Sequence, residues 1–205
     1  MTLTPISQIR RRELMDAALT VLETQGVAGA TLDQVARKAG ASKGIVLHYF
    51  ANKQDLFEQT MRYANRELAS EVVARMCAAQ SPEERLWAVI GGNFRRKHFL
   101  PNLCQAWLAL CSEVPRGGQF QRLQLAMHAR MHSNLVSCLR HWMDRQEAQR
   151  FALSLSSLID GLWLRCALNP GGIDRDGAIA IMLEAIRSRI PHYTVPDVSD
   201  DAGRR

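Results

Sequence analysis

Residues 31–53 read TLDQVARKAGASKGIVLHYFANK, and this stretch constrains the fold more than any other part of the chain. Thr31 and Gln34 stand three residues apart, which is the spacing of a capping box that begins a helix. Gly40 can adopt the left-handed conformation that ends this helix, and Ser42 can cap a second one. Two short helices joined by so tight a turn must cross steeply, which is typical of a helix-turn-helix unit whose second helix enters the DNA major groove.

The second helix, which runs to about residue 50, carries the side chains expected to meet DNA. Those on or near its groove-facing side are Ser42, Lys43, Gly44, Ile45 and His48. Lys43 could donate to guanine O6 and N7, which reads sequence, or could neutralise a phosphate, which does not. Gly44 costs about 1 kcal/mol in a helix interior, so its presence favours a close approach either to DNA or to a neighbouring helix. The predicted core of the unit is Val35, Ala36, Ala39, Val46 and Phe50.

The charge of the chain is compatible with a nucleic-acid partner. Among its 205 residues, 26 are lysine or arginine and 20 are acidic, so the net charge is +6. The first 53 residues hold seven basic and four acidic side chains, so half of the excess lies in a quarter of the chain. This bias indicates either a polyanionic partner or an ordinary solvated surface, and the cluster Arg10 to Arg12 leaves the same two choices.

Nearly every segment after residue 7 has helical periodicity, and no polar–apolar alternation is long enough to indicate a sheet. We therefore predict an all-α fold of about nine helices. The first ends at Gly26, two form the helix-turn-helix unit, and the others cover about 52–76, 81–97, 101–114, 120–143, 147–168 and 174–189. The predicted organisation is a DNA-binding domain over 1–53, a ligand-binding and dimerisation domain over 54–192, and a loose polar tail over 193–205.

The predicted helix over 147–168 is apolar on two faces. One stripe contains Phe151, Leu155, Leu158, Ile159, Leu162 and Cys166, whereas Leu153, Trp163, Leu164 and Ala167 lie elsewhere around the helix. Such a helix is typical of packing between two layers. Together with the final helix it could form a four-helix bundle with a second copy, so we predict a homodimer through the last two helices that binds a palindromic operator.

Asp160 interrupts this apolar helix, and Trp163 lies one turn further on the same side. A carboxylate in such surroundings needs a partner. One solution is a small cationic metabolite, such as a quaternary ammonium, held against aromatic faces. The candidate faces are Phe94, Trp107 and Trp163. The other solution is a structural ion pair with Arg130 or Arg165, in which case the tryptophans are ordinary core residues.

The residues between about 9 and 57 resemble the tetracycline-repressor (TetR) family of bacterial transcription regulators. The matching positions are Gly26, Thr31, Val35, Ala36, Ala39, Gly40, Ser42, Gly44, Tyr49, Phe50, Lys53 and Leu56. Ala41 and His48 depart from the family pattern, which commonly has Val and Tyr there. In the rest of the chain, GGNF (91–94), AWLAL (106–110), SNLVS (133–137) and IDGLWLRCAL (159–168) resemble the choline-responsive BetI group.

The resemblance implies roles for further residues. Tyr49 and Lys53 correspond to phosphate contacts of the family, and Thr31 could contribute another through its hydroxyl or amide at a helix amino end. The departure at His48 alters which base or phosphate is contacted. Cys111 is a candidate ligand residue that stands where the BetI group often has an aromatic, so a choline cage here lacks one wall and a different ligand stays open.

Other chemistry has little support in the sequence. HExxH and phosphate-binding glycine motifs do not occur, so we predict neither an enzyme nor a cofactor. His128 and His132 stand one turn apart without a third ligand or an acidic neighbour at a fitting spacing, so we expect a surface or pocket pair rather than a metal site. The cysteines are predicted to be reduced structural thiols, with redox sensing or metal binding as alternatives: Cys77, Cys104, Cys111, Cys138 and Cys166.

The sequence therefore favours one function over two others. Neither a leader nor a run of about 20 apolar residues is evident, so we expect a cytoplasmic protein that does not engage a membrane. We predict a dimeric DNA-binding repressor whose operator binding is modulated by a small ligand, for which choline or another cationic metabolite is a candidate. The alternative is a DNA-binding interaction protein of low sequence preference that recruits a partner. An enzyme ranks last.

Overall fold

Side-chain caps begin six of the helices in the computed structural model, which describes residues 5–96, 98–111, 119–169 and 171–196. The capping residues are Thr31, Ser42, Asn52, Ser81, Asp144 and Asp174. Each side chain accepts a hydrogen bond from the backbone N–H three residues further on, which satisfies one of the donors that a helix start leaves unpaired. The capping box of Thr31 and Gln34 is complete.

Within the described ranges the chain forms nine helices and no strand, so the all-α prediction is confirmed. The helices are α1 (Pro5–Gly29), α2 (Leu32–Lys38), α3 (Lys43–Tyr49), α4 (Lys53–Ala78), α5 (Pro82–Asn93), α6 (Pro101–Cys111), α7 (Gln119–Leu139), α8 (Arg145–Leu168) and α9 (Arg175–Arg187). We call α1 to α3 the head and α4 to α9 the body.

α1 breaks where the sequence predicts its end, but it continues for one more turn. Gly26 has φ +64°, a left-handed conformation that glycine adopts without a side-chain clash, and helical geometry resumes up to Gly29. The start of α6 lies against this break, because the Asn102 amide donates a hydrogen bond to the backbone oxygen of Glu23. The break is therefore also the place where body and head are joined.

Other helix boundaries also differ from prediction. α5 ends at Asn93 rather than near residue 97, because Phe94 and Phe99 turn inward and are buried at 0% and 5% exposure. α7 ends at Leu139, four residues early, where a turn buries the chain against the body core. α8 begins two residues early because Asp144 caps it. The predicted end of α6 near residue 114 lies outside the described residues.

Two apolar cores share two helices, α4 and α6. The head core includes Leu14, Leu22, Val35, Val46 and Phe50, with Leu56 and Phe57 from α4. Leu103 and Ala106 of α6 are buried in this same cluster, whereas Cys104 of α6 belongs to the body core. Packing of α6 against both cores means that a displacement of α6 changes the support of α1.

Tyr193 corrects the prediction that the tail is loose from residue 193. Its ring is 2% exposed in the body core, and its hydroxyl donates to the backbone oxygen of Glu83 over 3.2 Å. Burial raises the pKa of this phenol. The packed body therefore extends at least to Tyr193, and the final residues, 197–205, lie outside the described ranges.

α8 is the helix of the described chain that is long and apolar enough to cross a membrane by length and composition, with a mean hydropathy of 1.4 over its most apolar 18 residues. It packs against α6, α7 and α9, which accounts for its buried side. Only 39% of the same window is buried within one chain. The remaining apolar surface includes Leu153, Leu164 and Leu168.

Candidate DNA-binding surface and ligand pocket

α3 is anchored in the head core by Val46 and by Phe50, the first residue after the helix. Most other side chains of α3 are exposed. Val46 is 0% exposed and Phe50 is 1% exposed, and both lie in the head core. Tyr49 is half-buried, with its ring edge-on to His48 at 5.1 Å. The exposed residues are Ser42, Lys43, Gly44, Ile45, Leu47 and His48. Five of these six were predicted to face a groove, and α3 presents them without obstruction.

Lys43 already has an acidic partner within the head. Its Nζ lies 2.9 Å from Oδ2 of Asp33 in α2, and both side chains are more than half exposed, at 52% and 58%. An ion pair this exposed contributes at most about 1 kcal/mol, so a phosphate or a guanine can replace the carboxylate. Sequence reasoning did not foresee this contact.

Gly44 has open space where a side chain would stand. A Cβ built there meets only the hydroxyl oxygen of Ser42, at an ordinary van der Waals distance of 3.7 Å. No helix of the described chain packs against this position. Of the two explanations offered for Gly44, packing against a neighbouring helix is therefore not supported by the structure, and close approach to DNA stays a prediction.

The predicted phosphate contacts Lys53 and Thr31 make hydrogen bonds inside the chain. Lys53 Nζ donates to the backbone oxygen of Val27 over 2.9 Å and lies 5.5 Å from the ring centre of Phe57. The Thr31 hydroxyl accepts from the Gln34 backbone at 3.2 Å. Lys53 thus ties α4 to the carboxyl end of α1.

Leu47 is a surface residue that the sequence analysis missed. Its side chain is 45% exposed and that of Ile45 is 39% exposed, so two large apolar groups face outward from one short helix. Apolar side chains on a recognition helix suit contact with thymine methyl groups. The sequence could have indicated this exposure, because Leu47 lies one helical turn after Lys43. It therefore falls on the side of Lys43 when Val46 is assigned to the core.

The arginine cluster at the start of α1 is held by the protein itself. Arg10 pairs with Glu13 at 2.7 Å and borders the shallow depression formed by Ser42, Gly44, Ile45, His48 and Tyr49. Arg11 donates to Gln59 of α4, and Arg12 donates to the Tyr63 hydroxyl over 2.7 Å. Arg11 and Arg12 therefore link the head to α4, whereas Arg10 stays beside the exposed side of α3.

The body contains a cavity of about 120 Å³ between α4, α5, α6, α7 and α8. One water needs roughly 10–15 Å³ measured in this way, so the cavity has room for a small molecule. Its wall is mostly apolar, and Leu19 of α1 also borders it. Three of the five predicted ligand residues line it: Trp107, Asp160 and Trp163.

Trp107 and Trp163 are arranged as neighbouring faces. Their ring centres are 5.9 Å apart at 66°, and Trp163 Nε1 donates to the backbone oxygen of Asn93 over 3.1 Å. The bond fixes the indole, which suits a wall that holds a ligand. Phe94 is fully buried behind this wall against Phe99, at 5.2 Å between ring centres, and does not border the cavity.

Asp160 has a partner that the sequence analysis did not name. Its Oδ2 lies 3.3 Å from Nε2 of His128 in α7, so the predicted pairing with Arg130 or Arg165 is wrong. The expectation that His128 has no acidic neighbour is wrong for the same reason. Spacing along one helix could not reveal this contact because the two residues belong to different helices.

Burial governs the electrostatics of this end of the cavity. It raises the pKa of Asp160 above its ordinary value, and the charge of His128 lowers it in part. Cys111 does not border the cavity, yet burial and the nearby Asp160 carboxylate raise the pKa of its thiol to about 11. A carboxylate in an apolar wall favours binding of a cation. In the described part of the chain, no cluster of metal-ligating side chains occurs.

Comparison with known proteins agrees with this arrangement of head and body. Residues 14–60 match the model described as "Bacterial regulatory proteins, tetR family". Residues 82–191 match "BetI-type transcriptional repressor, C-terminal". The chain is 39% identical over 188 residues to the HTH-type transcriptional regulator BetI of Escherichia coli strain K12, covering 91% of this chain and 96% of that protein. This chain belongs to the TetR family.

Solved TetR-type structures have the same fold. A TetR regulator from Haloarcula marismortui aligns with a TM-score of 0.75 at 21% identity, covering 90% of this chain and 98% of that one. A transcriptional regulator from Saccharomonospora viridis, solved in complex with choline, also aligns with a TM-score of 0.75, at 19% identity over 88% of this chain and 96% of that one. The protein is thus a DNA-binding transcription regulator with a BetI-type carboxyl-terminal domain.

Proposed function

We propose that this regulator is a dimeric repressor whose operator affinity is set by a small organic cation of the choline type bound in the cavity between α4 and α8. The observation that carries the proposal is Asp160, a half-buried carboxylate in an apolar wall beside Trp107 and Trp163. An ammonium held near a carboxylate and against indole faces gains both an ion pair and a cation–π contact. The choline complex of the Saccharomonospora viridis protein supports the same ligand class.

The walls of the cavity suggest how a ligand could act on the head. Met61, Asn65 and Leu68 line it from α4, which follows α3 after a short turn. Leu103 and Trp107 line it from α6, and Leu103 is also buried in the head core. A ligand that favours one position of α4 and α6 would therefore favour one separation of the two heads in a dimer. An ordinary coupling of about 1–3 kcal/mol is enough to change operator occupancy.

The proposed dimer uses the exposed apolar stripe of α8 and the adjacent side of α9. Leu153, Leu164 and Leu168 are 61%, 37% and 68% exposed, and Ile181 of α9 is 39% exposed. Gly161 lies in the same stripe, and a Cβ there meets nothing within 4 Å. Pairing this surface with a second copy would bury it and place two copies of α3 about a twofold axis, which requires a palindromic operator.

Selection of bound sequences from a random DNA pool tests the proposal against its alternative. A dimeric repressor is expected to enrich a palindrome whose half-sites are about one helical turn apart, or a multiple of it. An interaction protein of low sequence preference would enrich no consensus, and its affinity would fall steeply with salt on every sequence. The second result would remove the repressor assignment.

A further inference from the structure

Three polar groups meet at one nitrogen of α7. His128 Nε2 lies 3.3 Å from Asp160 Oδ2 and 2.9 Å from Nε2 of Gln124, whose side chain is buried. A single ring nitrogen cannot accept a hydrogen bond from Gln124 and donate one to Asp160 at the same time.

Two arrangements therefore satisfy these groups. When Nε2 carries no hydrogen, the Gln124 amide donates to it, and the carboxylate of Asp160 faces the cavity without that donor. When Nε2 carries a hydrogen, it donates to Asp160, and the Gln124 amide turns its oxygen or moves away.

We infer that His128 is a built-in competitor for the cation site, so that an organic cation binds Asp160 only by displacing the imidazole from its carboxylate. The inference rests on the proposed function, because it assigns Asp160 as the ligand's counter-ion. Both the ligand and the imidazole would occupy the same carboxylate. Removal of the imidazole should accordingly strengthen binding of the cation.

Few charged groups besides His128 and Asp160 line the cavity. The other titratable or charged side chains that line the cavity are His98, before α6, and Arg130, which lies on α7 itself. The walls from α4, α5 and α6 contribute Asn65, Asn93, apolar groups and Trp107, and Cys111 of α6 lies near Asp160 with a raised thiol pKa. From α8, Asp160 is the acidic group that faces the cavity.

Choline titrations of the full-length protein test the inference, with the fluorescence of Trp107 and Trp163 as the signal and constant ionic strength. At one constant pH near 7, H128Q should bind choline about two- to fivefold more tightly than the wild type, which is the range for an ion pair this exposed. H132Q, one turn further on the same helix, is the matched control and should behave as the wild type.

Two further results separate the inference from the proposed function. If H128Q and the wild type bind choline equally while D160N fails to bind, the cation site stands and the competitor does not. A carboxyl-carbon NMR titration of Asp160 needs no ligand. The pKa of Asp160 should rise further in H128Q, because the imidazolium that lowers it is gone. An unchanged Asp160 titration overturns the inference even if choline does not bind at all.

Discussion

Nζ of Lys43 in α3 lies 2.9 Å from Oδ2 of Asp33 in α2. In the proposed DNA complex this carboxylate would compete with DNA for the lysine. We expect K43A to weaken operator binding about tenfold and, if the lysine contacts a phosphate, to reduce the salt slope by about one. D33N should strengthen binding about two- to fivefold, because it removes the competing carboxylate. Fluorescence anisotropy against salt measures both effects.

The dimer should be intact in K43A and D33N, as light scattering can check. An operator affinity that K43A leaves unchanged would contradict the assignment of α3 as the reading helix.

Gly44 should be dispensable for the fold but needed for DNA binding. Because a Cβ there has space in the free protein, G44A should raise the free energy of unfolding by up to about 1 kcal/mol through helix propensity. The same methyl group should weaken operator binding at least about tenfold if the backbone approaches DNA closely. In G44A, thermal melting should therefore show a higher Tm, whereas fluorescence anisotropy should show a weaker affinity for the operator.

Gly92 is the matched control for Gly44. A Cβ at Gly92 stands 2.6 Å from Cγ2 of Val72, so G92A should lower the free energy of unfolding by about 1–3 kcal/mol through overpacking. A G44A protein that is destabilised to the same extent would mean that Gly44 serves the fold.

At neutral pH, Asp160 should lower the stability of the ligand-free protein. Its raised pKa means that the folded protein holds this proton more tightly than the unfolded chain does. The contribution of this group to stability is therefore largest below the unfolded pKa and is lost as the pH rises through the folded pKa. We expect D160N to raise Tm at pH 7–8 by less than about 2 °C, since the partly exposed carboxylate is screened. The gain should vanish near pH 4, and a loss of Tm at pH 7 would be evidence against this account of Asp160.

The proposed dimer can be tested with two substitutions of equal exposure. Leu153 on the α8 stripe is 61% exposed and Ile9 on α1 is 60% exposed. L153E should shift the protein toward monomer, because it places a charge in a desolvated interface. I9E should leave the oligomeric state unchanged. Sedimentation at micromolar protein distinguishes them, and a dimer that tolerates L153E would exclude this surface.

Local chemistry made much of the head predictable from sequence. The capping residues Thr31, Ser42 and Asn52 satisfy helix starts with partners three residues away, so their pattern is visible without a structure. The break at Gly26 was predictable for a similar reason, because glycine readily adopts a positive φ. The extra helical turn after Gly26 was not predictable from the sequence, because that turn depends on packing against α6.

Long-range contacts in the body were not predictable in this way. His128 and Asp160 lie 32 residues apart on α7 and α8, and nothing in the spacing of either helix records that they meet. Phe94 was assigned to the ligand for its aromatic ring, but the turn after α5 directs it into the core. Tyr193 likewise follows a proline and polar residues, and only the tertiary fold accounts for its burial.

The most direct test is the affinity for the selected operator with and without choline, measured by anisotropy for the wild type and for D160N. Choline should change the wild-type affinity by about 5- to 150-fold, which corresponds to an ordinary allosteric coupling, and should leave that of D160N unchanged. Both proteins should bind the operator equally without choline, which shows that the head is intact. An equal response of the two proteins, or no response of the wild type, would contradict the proposal that Asp160 holds a cationic effector.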